Sequence, residues 1–233
     1  MTAKLGAALG AVDWNLNVKN LCSSVSIANR IEDCNFRLAV WARQLELIEA
    51  ANPAVAFVRE MQHGGHNVAC TLALALYKPA AASMRAIVEC ALYYSFFRSH
   101  LEELGTLVRD PKFYVAKKEI LAFFSKHVQG FSERQAVLGY LQRLDGWYSK
   151  TSSIVHGQIP GTWSNGTDVS GIAHDNQILA MAVGHFEAAV GLVQDTFICV
   201  MPWTWGVMES QAKAVFTKGM SGRVKAALGL DMA

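Results

Sequence analysis

Charge is scarce in this chain and nearly balanced. Charged residues make up 17% of it, with 21 Lys and Arg against 19 Asp and Glu, for a formal net charge of +2. Such a balance excludes the strong one-signed field of a general nucleic-acid or membrane-surface binder and leaves only a local patch as a route to RNA. The glycine-rich loops that cradle phosphates are missing: there is no Walker A loop and no dinucleotide fingerprint. Gly-x-Ser-x-Gly and the zinc-protease helix are missing as well. No cofactor is therefore expected. The five cysteines (Cys22, Cys34, Cys70, Cys90, Cys199) are odd in number and none has Cys-x-x-Cys spacing, which reads as a reducing compartment. Met1-Thr2-Ala3-Lys4-Leu5-Gly6 leads into no long apolar stretch of signal-peptide type. A cytoplasmic location is the expectation, and the Asn165-Gly166-Thr167 sequon is then a chance match in a loop.

What is present is apolar and helical. Hydrophobic residues reach 52% of 233, enough for one sizeable core and more than an average soluble domain carries. The excess implies a generous core or a face covered by a partner, commonly a second copy. Residues 1–25 are rich in Gly, Asn and Ser and read as irregular. Helical periodicity then runs from Ser26 to Ala51, where Asn52-Pro53 stops it. A second helix spans Ala54 to Tyr77, weakened or bent at Gly64-Gly65. The strongest helix spans Ala80 to Leu104, and another Lys112 to Val128. Ser132 and Gln135 form a capping-box pattern opening a helix to His156. A Gly-, Pro- and Ser-rich loop fills 157–171, a long helix runs from Asp175 to Val200, and short amphipathic helices follow Met208. The apolar run Ile178 to Trp205 carries His185, Glu187 and Asp195, which argues for a buried helix rather than a membrane span. No strand pattern, repeat or linker is visible, so residues 1–233 read as one all-α domain.

Two clusters could carry chemistry. Arg85 and Glu89 stand four apart on the strongest helix, in one stripe with Leu92 and Phe96. A charge pair leading into an apolar stripe is half-buried, where Arg85 organises carbonyls or an anion; the plainer alternative is an ion pair locking two helices. In Trp147 to Gly157, Tyr148, Ser152 and His156 share a second helical face. His156 closes that helix just before Gly157, a place suited to a general acid or base, or to a side chain that merely caps the last carbonyls. His63 and His66 have metal-like spacing without a third ligand, so no metal site is expected there, and Arg59 with His66 makes only a basic pair. His185 lies on an apolar stripe and reads as a satisfied core histidine. His100, His127 and His174 show no partner in the sequence. Lys213, Lys218, Arg223 and Lys225 stand among Val215, Phe216, Val224 and Leu228, a stretch that could touch a phosphate backbone or a partner protein but reads first as a solvated helical face.

Ser83 to Tyr94, with its Arg-x-x-x-Glu spacing, and the later Tyr-x-x-x-Ser-x-x-x-His-Gly segment from Tyr148 to Gly157 together resemble the HEPN-like helical proteins. The resemblance covers about Pro79 to Val200. It implies an up-and-down helical bundle, here with additional N- and C-terminal helices, that tends to dimerise. It also implies kinship with ribonucleases of bacterial toxin and phage-defence systems. In the active members of that family an Arg and a His close together in sequence cleave RNA without a metal. The RNA 2′-hydroxyl attacks the adjacent phosphate, His moves protons and Arg stabilises the phosphoryl charge. This chain departs from that pattern, because no arginine precedes His156 at the matching distance. The nearest basic residue is Lys150, six residues earlier, which supplies charge without the guanidinium fork.

Transferred residue by residue, the resemblance implies catalytic roles for His156 (acid–base), Arg85 (phosphate contact) and Glu89 (orienting Arg85). Tyr148, Ser152 and Lys150 would bind substrate. RNA and a second copy or protein partner are the expected partners, with no membrane association. The competing expectation is a non-catalytic interaction or regulatory protein, a homodimer or a subunit beside a larger effector, whose polar clusters only lock helices together.

Overall fold

The computed structural model describes residues 2–164, 166 and 168–230. Asn165 and Thr167 of the sequon lie outside the described residues. The fold is an all-α bundle, and no strand occurs among the described residues. The helices are α1 (Thr2–Gly10), α2 (Trp14–Ser23), α3 (Val25–Ile48), α4 (Val55–Ala73), α5 (Tyr77–Phe97) and α6 (Leu101–Arg109). They continue with α7 (Lys117–His127), α8 (Phe131–Leu138), α9 (Tyr140–Val155), α10 (Asn176–Val200), α11 (Ser210–Thr217) and α12 (Gly222–Ala227). The centre is formed by α3, α4, α5 and α10, with α9 and α7 laid against α5.

Residues 1–25 are not irregular as their composition implied. The Asp13 carboxylate accepts the Leu16 N–H at 2.8 Å and starts α2, which buries Asn17 and Leu21. Asn17 Oδ1 then accepts the His174 backbone N–H, tying α2 to the approach to α10. The polar residues that looked like loop are mostly the wet side of these helices.

α4 runs unbroken past Gly64 and Gly65. Both are buried where neighbouring helices come closest. A methyl group on Gly64 would sit 2.6 Å from Ile87 Cγ1 of α5, and one on Gly65 2.6 Å from Asn35 Oδ1 and 2.8 Å from Leu38 Cδ1 of α3. The glycines serve close packing, which offsets their cost to helix formation.

The strongest helix ends earlier than its pattern implied. α5 stops at Phe97, where the His100 ring stacks on Phe96 at 4.0 Å and its Nδ1 lies 2.8 Å from the Phe96 carbonyl. Residues 113–116 lie outside any helix, so α7 begins at Lys117 rather than Lys112, and the Glu119 carboxylate reaches back to the Ala116 N–H at 2.9 Å. Ser132 does not cap a helix. α8 starts from Gly130 in the left-handed region (φ 71°), so Ser132 lies inside the first turn. Gly139 (φ 61°) then divides α8 from α9.

Among the described residues α10 is the one helix long and apolar enough to cross a membrane by length and composition, and 50% of that window is buried inside the protein. Asp175 caps it by accepting the Gln177 and Ile178 N–H groups. Its buried polar side chains are engaged. Gln194 receives Arg37 and donates to the Phe216 carbonyl, Asp195 pairs with Arg143, and Thr196 meets Tyr140 Oη at 2.7 Å. At its far end Arg134 donates twice to the Cys199 carbonyl, supplying a partner for a late carbonyl of the helix.

Candidate functional site

α5 and α9 pack side by side and bring the two polar stripes into one cluster. Arg85 is its centre. Its Nε donates to Glu89 Oε1 at 2.9 Å, its Nη2 to Tyr148 Oη at 2.7 Å, and its Nη1 reaches Ser152 Oγ at 3.5 Å and His156 Nε2 at 3.1 Å. Tyr148 Oη in turn donates to Glu89 Oε1. The stepwise spacing accounts for this: Arg85 and Glu89 are one turn apart on α5, and Tyr148, Ser152 and His156 are successive turns of one face of α9. Arg85 and Glu89 are half-buried, with side-chain exposures of 26% and 35%, while His156 is exposed.

The donor–acceptor pattern assigns the imidazole. Arginine has no acceptor, so the Arg85–His156 contact requires a lone pair on Nε2 and places the ring proton of neutral His156 on Nδ1. His156 is the C-cap residue of α9 through its backbone N–H, which donates to the Ser152 carbonyl. Its ring turns to Arg85 rather than to the helix carbonyls. Desolvation works against the Arg85 charge, but Glu89, by hydrogen bond and charge, with help from Tyr148, holds its pKa above the ordinary arginine value. Burial, reinforced by the hydrogen bond to Glu89 and its charge, pushes Tyr148 up to about 12, so at neutral pH its hydroxyl is a donor. The Tyr148 ring also lies 4.7 Å from the Arg85 guanidinium and 4.6 Å from Lys117 Nζ, two cation–π contacts on one side chain.

Lys150 is not part of this cluster. It is exposed, and the group its charge acts on is His185. Two residues beyond Tyr148 on a helix is the far side, so the spacing that united Tyr148, Ser152 and His156 turns Lys150 away. The cation the structure supplies instead is Lys117, at the start of α7, paired with Asp145 at 2.6 Å. Nothing in the sequence spacing linked Lys117 to Tyr148. Their meeting depends on α7 lying against α5.

The remaining candidates have structural surroundings. His185 is buried, stacks on Trp147 at 4.9 Å and meets Thr151 Oγ1 at 2.7 Å, and burial lowers its pKa to about 4. His63 and His66 are exposed with rings 6.1 Å apart, and no group of three metal-ligating side chains gathers among the described residues. His127 stacks against Phe123, and His174 Nε2 lies 2.9 Å from Asn176 Oδ1. All five cysteines are free thiols, and burial pushes Cys34, Cys90 and Cys199 up to about 12. A thiol in that state is a poor nucleophile at neutral pH. In the basic C-terminal stretch Phe216 is core and stacks on Trp41 at 3.9 Å, while Lys218 approaches Asp33 at 3.9 Å.

No family model, curated protein or solved structure matches this chain. The site's own chemistry therefore carries the functional reading.

Proposed function

We propose that this chain is a HEPN-like protein that binds RNA or nucleotides at the Arg85–His156 cluster and cleaves RNA there, as a member of a defence or toxin system. The observation that carries the reading is the 3.1 Å approach of Arg85 Nη1 to His156 Nε2 at the water-facing end of the cluster. A cation able to grip a phosphoryl oxygen thus stands beside an imidazole whose basic Nε2 is held by that same cation. A phosphoryl oxygen entering between them accepts the Nη1 hydrogen now given to His156 and releases Nε2 to act as base. His156 then takes the proton of the RNA 2′-hydroxyl, the 2′-oxygen bonds to phosphorus and the bond from phosphorus to the 5′-oxygen breaks. The products are a cyclic phosphate and a 5′-hydroxyl, protonated by the imidazolium just formed. Glu89 and Tyr148 hold the guanidinium in its plane. The test is to incubate the purified protein with total RNA in the presence of a chelator and map the ends. Fragments with cyclic-phosphate ends support the reading, and intact RNA at high protein concentration removes it.

One observation favours a second reading. Every nitrogen of the Arg85 guanidinium already has a protein partner, and Glu89 neutralises its charge. That is how a cluster which only fastens α9 to α5 would be built. Under it, RNA is neither bound nor cut, and the loss on substituting Arg85 is one of stability.

A further inference from the structure

Beside the cluster lies a cleft of about 270 Å³ that the proposed cleavage chemistry does not occupy. It shares Arg85, Glu89 and Tyr148 with the cluster and continues between α5 and the non-helical 113–116 segment. Leu92 and Ile120 are buried aliphatic side chains in its wall, and Tyr93 is an aromatic one. The Tyr93 ring is braced edge-on by Phe57 at 5.5 Å and Phe97 at 5.6 Å, so it forms a fixed surface. Tyr114 at the rim is different. It is 71% exposed, and among the described residues its ring packs on no other ring. The backbone N–H groups of Tyr114 and Val115 have no protein acceptor among the described residues.

Aromatic and aliphatic walls, an idle ring at the mouth and unengaged backbone donors are what an unpaired base requires. Its faces stack on rings and side chains while its edge finds hydrogen-bonding groups. The Tyr148 ring does not compete for the base, since Arg85 and Lys117 already approach it. The volume falls just below the range of roughly 300–1,000 Å³ usual for small-molecule sites, enough for a single ring system rather than a longer ligand.

We propose that this cleft holds one unpaired nucleobase, stacked by Tyr114, of the nucleotide whose phosphate lies at Arg85. The inference rests on the phosphate reading of the Arg85–His156 cluster and adds that recognition is of single strands, because a paired base cannot enter. Calorimetric titration of the intact protein with adenosine monophosphate, inorganic phosphate, a fully paired RNA duplex and an unpaired strand of the same sequence tests it, with wild type, Tyr114→Ala and Tyr114→Phe compared. The expected result is that the nucleotide binds more tightly than phosphate. Tyr114→Ala should then weaken the nucleotide roughly tenfold and leave phosphate unchanged, and Tyr114→Phe should restore binding. Equal nucleotide affinity in wild type and Tyr114→Ala, or duplex bound as well as an unpaired strand of the same sequence, overturns the base subsite and leaves the phosphate reading standing. Absence of binding by both phosphate and nucleotide overturns the phosphate reading, and this inference with it. Since Tyr114 is exposed, its replacement leaves the core intact, which a thermal melt verifies.

Discussion

Arg85 donates to His156 across 71 residues of sequence, from the middle of one helix to the last turn of another. The contact joins a permanently charged guanidinium to an imidazole that must accept from it. It also defines which imidazole nitrogen is available.

Removing that imidazole should separate chemistry from folding. His156 is exposed and contributes one hydrogen bond to the cluster, so His156→Ala is expected to change stability by about 1 kcal/mol or less. RNA cleavage should fall by roughly 100-fold or more, the usual contribution of a positioned acid–base group. Chemical denaturation and a gel-based cleavage assay on the same preparation decide the matter. Undiminished cleavage would strip His156 of its role.

Replacing Arg85 by Lys retains the charge and loses the fork that reaches Glu89, Tyr148 and His156 together. Cleavage is expected to drop by roughly 100-fold, as when a single transition-state donor is lost. Phosphate should still bind weakly through the ammonium. If Arg85→Lys instead cleaves normally and only melts earlier, the cluster is a fastening between α5 and α9.

The seam between α4 and α5 makes a prediction about volume. Gly64→Ala places a methyl group 2.6 Å from Ile87 Cγ1, an overpacking that costs about 1–3 kcal/mol and exceeds the 0.5–1 kcal/mol that Ala gains in a helix. Shortening the opposing residue in a Gly64→Ala, Ile87→Val double variant should recover part of the loss, read as a coupling energy in urea denaturation. Gly146 on α9 is the control, because nothing lies within 4 Å of a methyl group there. Gly146→Ala is expected to stabilise by about 0.5–1 kcal/mol.

His185 gives the fold a defined acid sensitivity. Burial lowers its pKa to about 4, against an unfolded value near 6.5. Between those values the unfolded chain holds a proton that the folded chain does not, so stability falls as pH drops from about 6.5 through 4. The loss from this residue reaches up to about 3 kcal/mol below that window. A His185→Gln variant should show a flatter dependence of denaturation midpoint on pH across the same window. An unchanged slope would assign the acid sensitivity to other groups.

Much of this was legible in the sequence where one helix carries the signal. Arg85 with Glu89, and Tyr148 with Ser152 and His156, follow from four-residue steps alone, as does the core position of His185. What escaped was decided between elements. The Gly64-Gly65 pair looks like a helix breaker until Ile87, Asn35 and Leu38 are placed opposite it. Ser132 looks like a cap until Gly130 takes the left-handed conformation before it. The polar composition of residues 1–25 conceals helices with few buried positions, α2 burying only Asn17 and Leu21. The cleft beside Arg85 depends on Tyr114 and Lys117, which lie in a stretch whose pattern reads as one helix but where helix begins only at Lys117.

Ile87 sits midway between Arg85 and Glu89 in sequence, pressed over Gly64. A single turn of α5 is thus both a close interhelical fit in the protein's interior and the mount for its guanidinium. A disturbance of a few tenths of an ångström beneath that turn would reach the polar cluster without touching any of its members. Variants selected for altered activity should therefore include substitutions on α4, a helix that contributes no side chain to the chemistry.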